Sequence, residues 1–176
     1  MIIGLSGLKG TGKTAVATLL RADALKHHEI FHIVTMAKPI KDMLGAMGLT
    51  NEQINGEDKN TPLDIIGGHT GREAMQTLGT EWGRAHMTNN IWVNLWKQEA
   101  GRHQNVICDD VRFANEVQAV RDLGGINIRI ENEGVENKDY HESERNVLTL
   151  DVDCVIINSG TLKQLVNKIK EKVNIL

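Results

Sequence analysis

The chain has 176 residues, a length typical of one domain with its own hydrophobic core. Hydrophobic residues make up 40% of it and charged residues 24%, with a formal net charge of -3, which excludes a disordered or fibrous chain. Only 3% of the residues are aromatic and the charge is mildly acidic, so stable nucleic-acid binding is not expected.

An apolar strand at residues 2 to 5 opens the chain and leads into the sequence GLSGLKGTGKT. Within that stretch the spacing matches the phosphate-loop pattern G-x-x-x-x-G-K-[ST]. Glycines let such a loop turn its backbone N–H groups inward, the lysine reaches the β- and γ-phosphates, and the hydroxyl holds Mg²⁺. The pattern therefore predicts a nucleotide site, and we expect contacts from Lys9, Gly10, Thr11, Gly12, Lys13 and Thr14.

The middle of the chain predicts an insertion that carries ligand contacts. Residues 31 to 35 have the pattern of a second strand, and a helix with one apolar face ends near Gly48. Polar, turn-like signals follow up to about Gly71, and a helical pattern then continues through Trp82. The predicted insertion covers about residues 36–104.

An acidic pair follows the apolar strand NVIC at residues 105 to 108. A carboxylate at the end of a strand beside the phosphate loop can accept from the water ligands of Mg²⁺. Asp109 or Asp110 meets this requirement, and the sequence leaves the choice open. Arg112 lies two residues further on, where it can face a transferring phosphate or pair with one of the same aspartates.

The last third of the chain predicts two more strands, at residues 126 to 130 and 154 to 157, before an amphipathic helix. A polar stretch at about 131–150 separates these strands. Strands that alternate with helices indicate an α/β fold in which a five-stranded parallel sheet carries helices on both faces. Residues 1–176 then form a single domain.

Cysteine usage and the lack of a targeting or membrane-spanning segment point to the cytoplasm. The first strand begins at once and no apolar run approaches the roughly 20 residues of a membrane span. Cys108 and Cys154 each lie in a short apolar run, which is typical of buried free thiols.

Four further stretches occur in a characteristic order: GREAMQTLGTEWGR at 71 to 84, DVRFANE at 110 to 116, HESE at 141 to 144 and VIINSGTLKQL at 155 to 165. Together with the phosphate loop they resemble the bacteriophage deoxynucleoside monophosphate kinases. The resemblance covers about residues 2 to 170. The final stretch is also similar to dephospho-coenzyme A kinases, which share the fold.

This resemblance implies a three-layer P-loop kinase fold with a monophosphate-binding insertion and a lid at about 131–150. It also implies that Asn158 and Gly160 lie beside a bound adenine, and it favours the cytoplasm of a bacterium or a phage-infected host. The implied reaction is ATP + dNMP ⇌ ADP + dNDP with Mg²⁺. Its partners are small-molecule nucleotides, with no membrane, and a homodimer is compatible with the sequence. The rival interpretations are a P-loop ATPase or regulatory switch and a nucleotide-binding module without catalysis.

The insertion supplies the expected acceptor contacts. Arg72 and Gln76 lie one helical turn apart and are expected to clamp the acceptor phosphate. Arg84 ranks below them, because twelve residues of helix separate it from Arg72. Further expected substrate contacts are Lys38, where the family usually carries an acid, and Glu81 and Trp82, which either wall the base or form a helix salt bridge and a packed aromatic.

Charge on the transferring phosphoryl group requires a lid cation. The candidates are Arg129 and Arg145, which join Lys13 and Asp110 as predicted catalytic residues. His141, Ser143 and Glu144 fall in the predicted lid and are expected to order it around substrate.

Overall fold

The computed structural model describes residues 1–132, 134 and 146–174. Two compact units form, one from Met1–Thr35 with Trp96–Leu176 and the other from Met36–Leu95. The strands are β1 (Ile2–Ser6), β2 (His32–Ile33), β3 (Pro62–Leu63), β4 (His69–Thr70), β5 (Val106–Cys108), β6 (Ile126–Glu131) and β7 (Cys154–Ile157). The helices are α1 (Lys13–Lys26), α2 (Lys38–Ala46), α3 (Asn51–Asn55), α4 (Gly71–Gln76), a π-helix (Thr77–Met87), α5 (Ile91–Ala100), α6 (Ala114–Asp122) and α7 (Leu162–Val173), with 3₁₀ turns at Glu57–Asn60, Asp64–Ile66 and Val147–Thr149.

The first unit contains the predicted parallel sheet, with strand order β2-β5-β1-β6-β7. Every neighbouring pair in it runs parallel. The second strand is shorter than its apolar pattern predicts, although the Val34 N–H still donates to the Ile107 carbonyl at 3.0 Å. The α/β fold class is therefore confirmed.

Helices cover both faces of this sheet. Successive residues of β1 point to opposite faces and meet helices on each of them. Ile3 and Leu5 join the main hydrophobic core with residues of α1 and α7. Gly4 lies between them and therefore faces the other way, where an added Cβ would come within 3.0 Å of Val120 in α6. The apolar face of the last helix is buried in the core at Leu165, Val166, Ile169 and Val173, whereas Leu162, which the sequence pattern assigns to the same face, is exposed.

The second unit is more structured than its polar sequence predicts. Thr50 and Gln53 form a capping box that begins α3, and β3 pairs with β4 as a short antiparallel hairpin. A small core of buried side chains holds the unit together, formed by Leu44, Leu49, Ile54 and Leu63. This unit ends at Leu95, whereas the predicted insertion extends to residue 104. Trp96 belongs to the first unit, where its indole N–H donates to the Val34 carbonyl at 2.8 Å.

Both cysteines are free, as their apolar surroundings predict, with Cys108 buried and Cys154 half-buried. Among the described residues, none of the helices combines the length and the apolar content that a membrane crossing requires.

Asp153 fixes the entry of β7 into the sheet. Its carboxylate accepts the Asn127 backbone N–H at 2.7 Å and the Arg121 guanidinium at 3.0 Å. Partial burial raises the pKa of Asp153, but these hydrogen bonds outweigh the burial and hold the pKa below its ordinary value. Such a carboxylate stabilises the fold above its unfolded-state pKa of about 3.9, and this stabilisation is lost as the pH falls.

We expect Asp153→Asn to lower the free energy of unfolding at pH 7 by about 1 kcal/mol, because charged hydrogen bonds are lost. The difference from wild type should shrink as the pH falls below about 4. Urea unfolding at pH 7 and pH 3 measures the free energies of unfolding of wild type and variant, and hence the difference between them at each pH. Asp151→Asn is the control, because Asp151 also pairs with Arg121 but its side chain is 90% exposed. Equal stability of wild type and Asp153→Asn at pH 7 would contradict this account.

Candidate active site

The phosphate loop connects β1 to α1 and depends on backbone conformations that favour glycine. Gly7, Gly10 and Gly12 have φ values of 139°, 88° and 101°. A Cβ on Gly7 would overlap the Ile130 carbonyl oxygen at the end of β6. The loop therefore takes this path only with a glycine at position 7, which explains the first position of the motif.

Lys13 begins α1 and is 9% exposed. Its ammonium donates to the carbonyls of Gly7 and Leu8, each at 2.7 Å. Thr11 is buried and its hydroxyl also donates to the Leu8 carbonyl, at 2.9 Å. The charged head of Lys13 thus lies inside the curve of the loop, next to the backbone that would surround phosphates. Thr14 follows it in the first turn of α1 with an exposed side chain.

The acidic pair lies at the end of β5, directly beside β1. The Val111 N–H donates to the Leu5 carbonyl at 3.1 Å, which holds the segment after β5 against β1. Asp109 is buried at 6% exposure and Asp110 is half-buried. The Cys108 thiol donates to the Asp110 carboxylate at 3.3 Å. Burial raises the pKa of Cys108 well above its ordinary value and the Asp110 charge raises it further, so the thiol stays protonated.

Glu116 holds the segment that carries Arg112, a role that the sequence analysis missed. It is 3% exposed, and its carboxylate accepts the backbone N–H groups of Arg112 at 2.6 Å and Phe113 at 3.1 Å. The available signal was its position in the first turn of α6, where a glutamate typically caps the preceding backbone.

Asn158 links the end of β7 to the phosphate loop. Its backbone N–H donates to the Glu131 carbonyl at 2.7 Å, and its side-chain amide donates to the Thr11 carbonyl at 3.1 Å. Asn158 and Gly160 both line a cavity of about 300 Å³ between the end of β7 and α7. The structure thus brings Asn158 into contact with the loop and places Gly160 in the cavity that Asn158 also lines.

Arg129 lies in β6, just before the predicted lid, and is held there by two contacts. Its guanidinium donates to the Glu131 carboxylate at 2.8 Å and to the Leu150 carbonyl at 2.9 Å, and the side chain is 15% exposed. These contacts join β6 to the segment that leads into β7. The other lid residues of the prediction, His141, Ser143, Glu144 and Arg145, lie outside the described residues.

The acceptor residues of the prediction lie in the second unit. Lys38 begins α2 and pairs with Asp42 at 2.6 Å, with both side chains more than half exposed. Arg72 and Gln76 are half-buried on α4. Thr70 and Glu73 form the capping box that begins this helix.

The π-helix continues directly from α4 and carries the remaining predicted acceptor residues. Glu81 and Trp82 are exposed, and the Trp82 ring lies 6.4 Å from the ring of Trp92. Arg84 is half-buried, and its guanidinium donates to the Asn89 carbonyl at 2.8 Å. The sequence pattern predicted a helix here but not its wider winding, in which N–H groups bond five residues back.

The oxygen donors near the phosphate loop fit Mg²⁺ that arrives with a nucleotide. Thr14 offers a hydroxyl and Asp109 and Asp110 offer carboxylates, which are the hard ligands that Mg²⁺ prefers. Within the described ranges, no three His, Cys, Asp or Glu side chains cluster closely enough to hold a metal by themselves. Mg²⁺ in nucleotide sites usually keeps several waters and phosphate oxygens as ligands, so few protein ligands suffice.

Comparison with known proteins gives a specific match. A family model described as deoxynucleotide monophosphate kinase matches residues 57–169. A protein of Acanthamoeba polyphaga mimivirus, provisionally assigned the same activity, is 33% identical over 185 aligned residues, which cover 96% of this chain and 94% of the relative. The deoxynucleotide monophosphate kinase of Enterobacteria phage T4 is 29% identical over 148 residues, which cover 78% of this chain and 61% of the phage enzyme.

Solved structures of other kinases share the fold. A shikimate kinase from Bacteroides thetaiotaomicron superposes with a TM-score of 0.54 at 13% identity, covering 99% of both chains. An APS kinase of Mycobacterium tuberculosis, determined with AMPPNP and APS, gives 0.52 at 10% identity and covers 98% of this chain and 96% of its own. At these identities the likeness concerns the fold alone.

We expect Gly7→Ala to abolish binding of the nucleotide that the phosphate loop is predicted to hold, with a non-hydrolysable ATP analogue as the probe, because the added Cβ would displace the loop from β6. Isothermal titration calorimetry with the analogue measures this directly. Gly67→Ala is the matched control, since Gly67 also has a positive φ of 68° but a Cβ there would meet nothing within 4 Å. The control should lose about 1 kcal/mol of stability and bind normally. Wild-type affinity in Gly7→Ala would show that the loop conformation is not required.

Proposed function

The chain belongs to the deoxynucleotide monophosphate kinase family, and from that premise we propose that ATP is its phosphoryl donor and Mg²⁺ its cofactor. The reaction is then ATP + dNMP ⇌ ADP + dNDP. Its substrates are soluble nucleotides, so the cytosol is the compartment in which we propose that it acts. The homodimer and the lack of stable nucleic-acid binding stay predictions.

The observation that supports this donor is the position of Lys13 inside the phosphate loop. Its ammonium lies 2.7 Å from two loop carbonyls, so exchange of one of these contacts for a phosphate oxygen needs little movement. The γ-phosphoryl group gains negative charge on its outer oxygens during transfer, and a fixed cation beside it lowers that cost. Backbone N–H groups of residues 9–14 would bind the remaining phosphate oxygens.

Thr14 and one carboxylate of the pair Asp109 and Asp110 would hold Mg²⁺, the latter partly through water. Bound there, the ion offsets charge on the donor phosphates. The Cys108 thiol beside the Asp110 carboxylate stays protonated, so it places no second negative charge next to Asp110. Glu116 positions the segment of Arg112, whose guanidinium we propose to face the transferring group.

Arg72 and Gln76 would bind the phosphate of the acceptor. A guanidinium offers two parallel N–H groups to a phosphate, and a glutamine amide one turn further adds another donor. The acceptor phosphate is already an anion at neutral pH, so the reaction needs no general base. Positioning of two anions and neutralisation of their charge carry the catalysis.

Arg129 and Arg145 remain the proposed sources of a lid cation. Arg129 already spans Glu131 and Leu150, so we propose that it holds the base of this segment. The cation that reaches the transferring group would then come from Arg145.

We expect Lys13→Ala to abolish transfer, because the cation inside the phosphate loop is lost. A coupled assay for ADP with ATP and each deoxynucleoside monophosphate measures it. Wild-type ADP release that requires no acceptor would instead support an ATPase and contradict the kinase assignment. Normal turnover in Lys13→Ala would contradict the role of that residue.

We expect Arg72→Ala to raise the KM for the acceptor by about 10-fold or more, because a charged, two-pronged phosphate contact is lost. The KM for ATP should stay within about twofold of wild type. Lys59→Ala is a control within the same unit, since it also removes one positive charge. An unchanged acceptor KM in Arg72→Ala would sink the assignment of that residue.

A further inference from the structure

Burial along the helix from Gly71 to Met87 repeats every four residues. One column carries three buried glycines and the half-buried Met75, and the next column is half-buried and polar. A third column, on the opposite side from the first, is exposed. The glycine column is Gly71, Met75, Gly79 and Gly83; the polar column is Arg72, Gln76, Thr80 and Arg84; the exposed column is Glu73, Thr77, Glu81 and Ala85.

Helix winding explains this period. In an α-helix the twelve residues from Arg72 to Arg84 make about 3.3 turns, which leaves their side chains roughly 120° apart. A helix bonded from residue i to i+5 takes about one residue more per turn, roughly 4.4. Four α-helical steps to Gln76 and eight π-helical steps to Arg84 then make about 2.9 turns. Arg84 therefore returns to the same side of the helix as Arg72.

Trp92 contacts the helix where this wider winding is established. Its indole N–H donates to the Gly79 carbonyl at 2.7 Å, a group that an α-helix would bond to the N–H of residue 83. A Cβ on Gly83 would overlap the Trp92 ring, so the ring can lie here only against glycine. Trp92 is 3% exposed, which makes this a fixed contact.

We propose that the polar column is the acceptor-binding surface, that Thr80 and Arg84 read the nucleobase, and that Trp92 is the positioning residue that keeps Arg84 on this surface. The proposal rests on the proposed function, because that function supplies the nucleotide. It differs from the expectation that Glu81 and Trp82 wall the base. By the same winding, Glu81 lies on the exposed column and Trp82 lies off the polar column.

The length and direction of the column orient the nucleotide. At the α-helical rise of 1.5 Å, its two arginines lie up to about 18 Å apart along the axis, too far to share one phosphate. The phosphate is favoured at Arg72, because that end of the helix carries the positive end of its dipole. Arg84 lies near the negative end of the dipole, which partly offsets its attraction for an anion, and its guanidinium already donates to the Asn89 carbonyl. The uncharged base therefore falls at Thr80 and Arg84.

The test compares kcat/KM for the four common deoxynucleoside monophosphates at saturating ATP. We expect Arg84→Gln and Trp92→Phe to change the ratios among the four acceptors by at least about fivefold, because contacts to base edges carry the discrimination. Thr80→Val should shift the same ratios by less. Arg72→Gln should lower all four values by a similar factor, because every acceptor carries the same phosphate.

Trp96→Phe is the matched control for Trp92→Phe. Both changes remove a buried indole N–H donor from the same helix, but Trp96 donates to Val34 in the first unit. The control should lose thermal stability with unchanged acceptor ratios. Arg102→Gln, in which an exposed arginine loses its charge, is the control for Arg84→Gln.

Unchanged ratios in Arg84→Gln, or a wild-type enzyme that uses all four acceptors equally, would overturn the inference. Equal changes in Trp92→Phe and Trp96→Phe would overturn the role of Trp92. If Trp92→Phe does not fold, Arg84→Gln still decides, because its substitution lies outside the core. A wild-type enzyme that phosphorylates none of the four would overturn the proposed function instead, so the two failures are distinguishable.

Discussion

Parallel pairing of β1 with β5 and β6 is the constraint on which the proposed donor site depends. Ile3 pairs with Ile107 on one side and with Ile126 on the other. The carboxyl ends of parallel strands share one edge of the sheet, so the phosphate loop, the acidic pair and the end of β7 emerge together. Asn158 then ties the last of these to the loop through the Thr11 carbonyl. The charged groups that we propose to bind phosphate are thus positioned by the core rather than by the loops alone.

A second constraint shapes the unit that carries the proposed acceptor residues. Other groups of this unit lie so close to certain glycines that a Cβ would not fit there. A Cβ on Gly71 would overlap the Gln53 carbonyl oxygen, so the helix can begin where it does only with glycine. Gly79 and Gly83 give Trp92 access to the helix backbone further along. These contacts set the direction in which the side chains of the neighbouring polar column point. A buried indole and a few glycines therefore set where the polar groups of this helix point.

The sequence predicted where the phosphate loop and the acidic pair lie because those signals are local, and the roles of these residues stay predictions. The phosphate loop is a short pattern, and the aspartates after β5 follow directly from the rule that parallel strands end together. Glu116 was missed although its capping position was readable. The winding around Arg84 could not be predicted, because it depends on a hydrogen bond between Gly79 and Trp92, thirteen residues apart. The two-residue strands of the hairpin at residues 62–70 could not be predicted either, because two residues are too few to show an alternating apolar pattern.

The central claim is that the phosphoryl group passes from ATP to a deoxynucleoside monophosphate, and the fate of that group tests it most directly. ATP labelled in its γ-phosphoryl group is incubated with the wild-type protein, Mg²⁺ and each acceptor, and the products are separated. The account predicts labelled deoxynucleoside diphosphate that forms only when an acceptor is present. Release of the label as inorganic phosphate, at a rate that is the same with and without an acceptor, would contradict the claim.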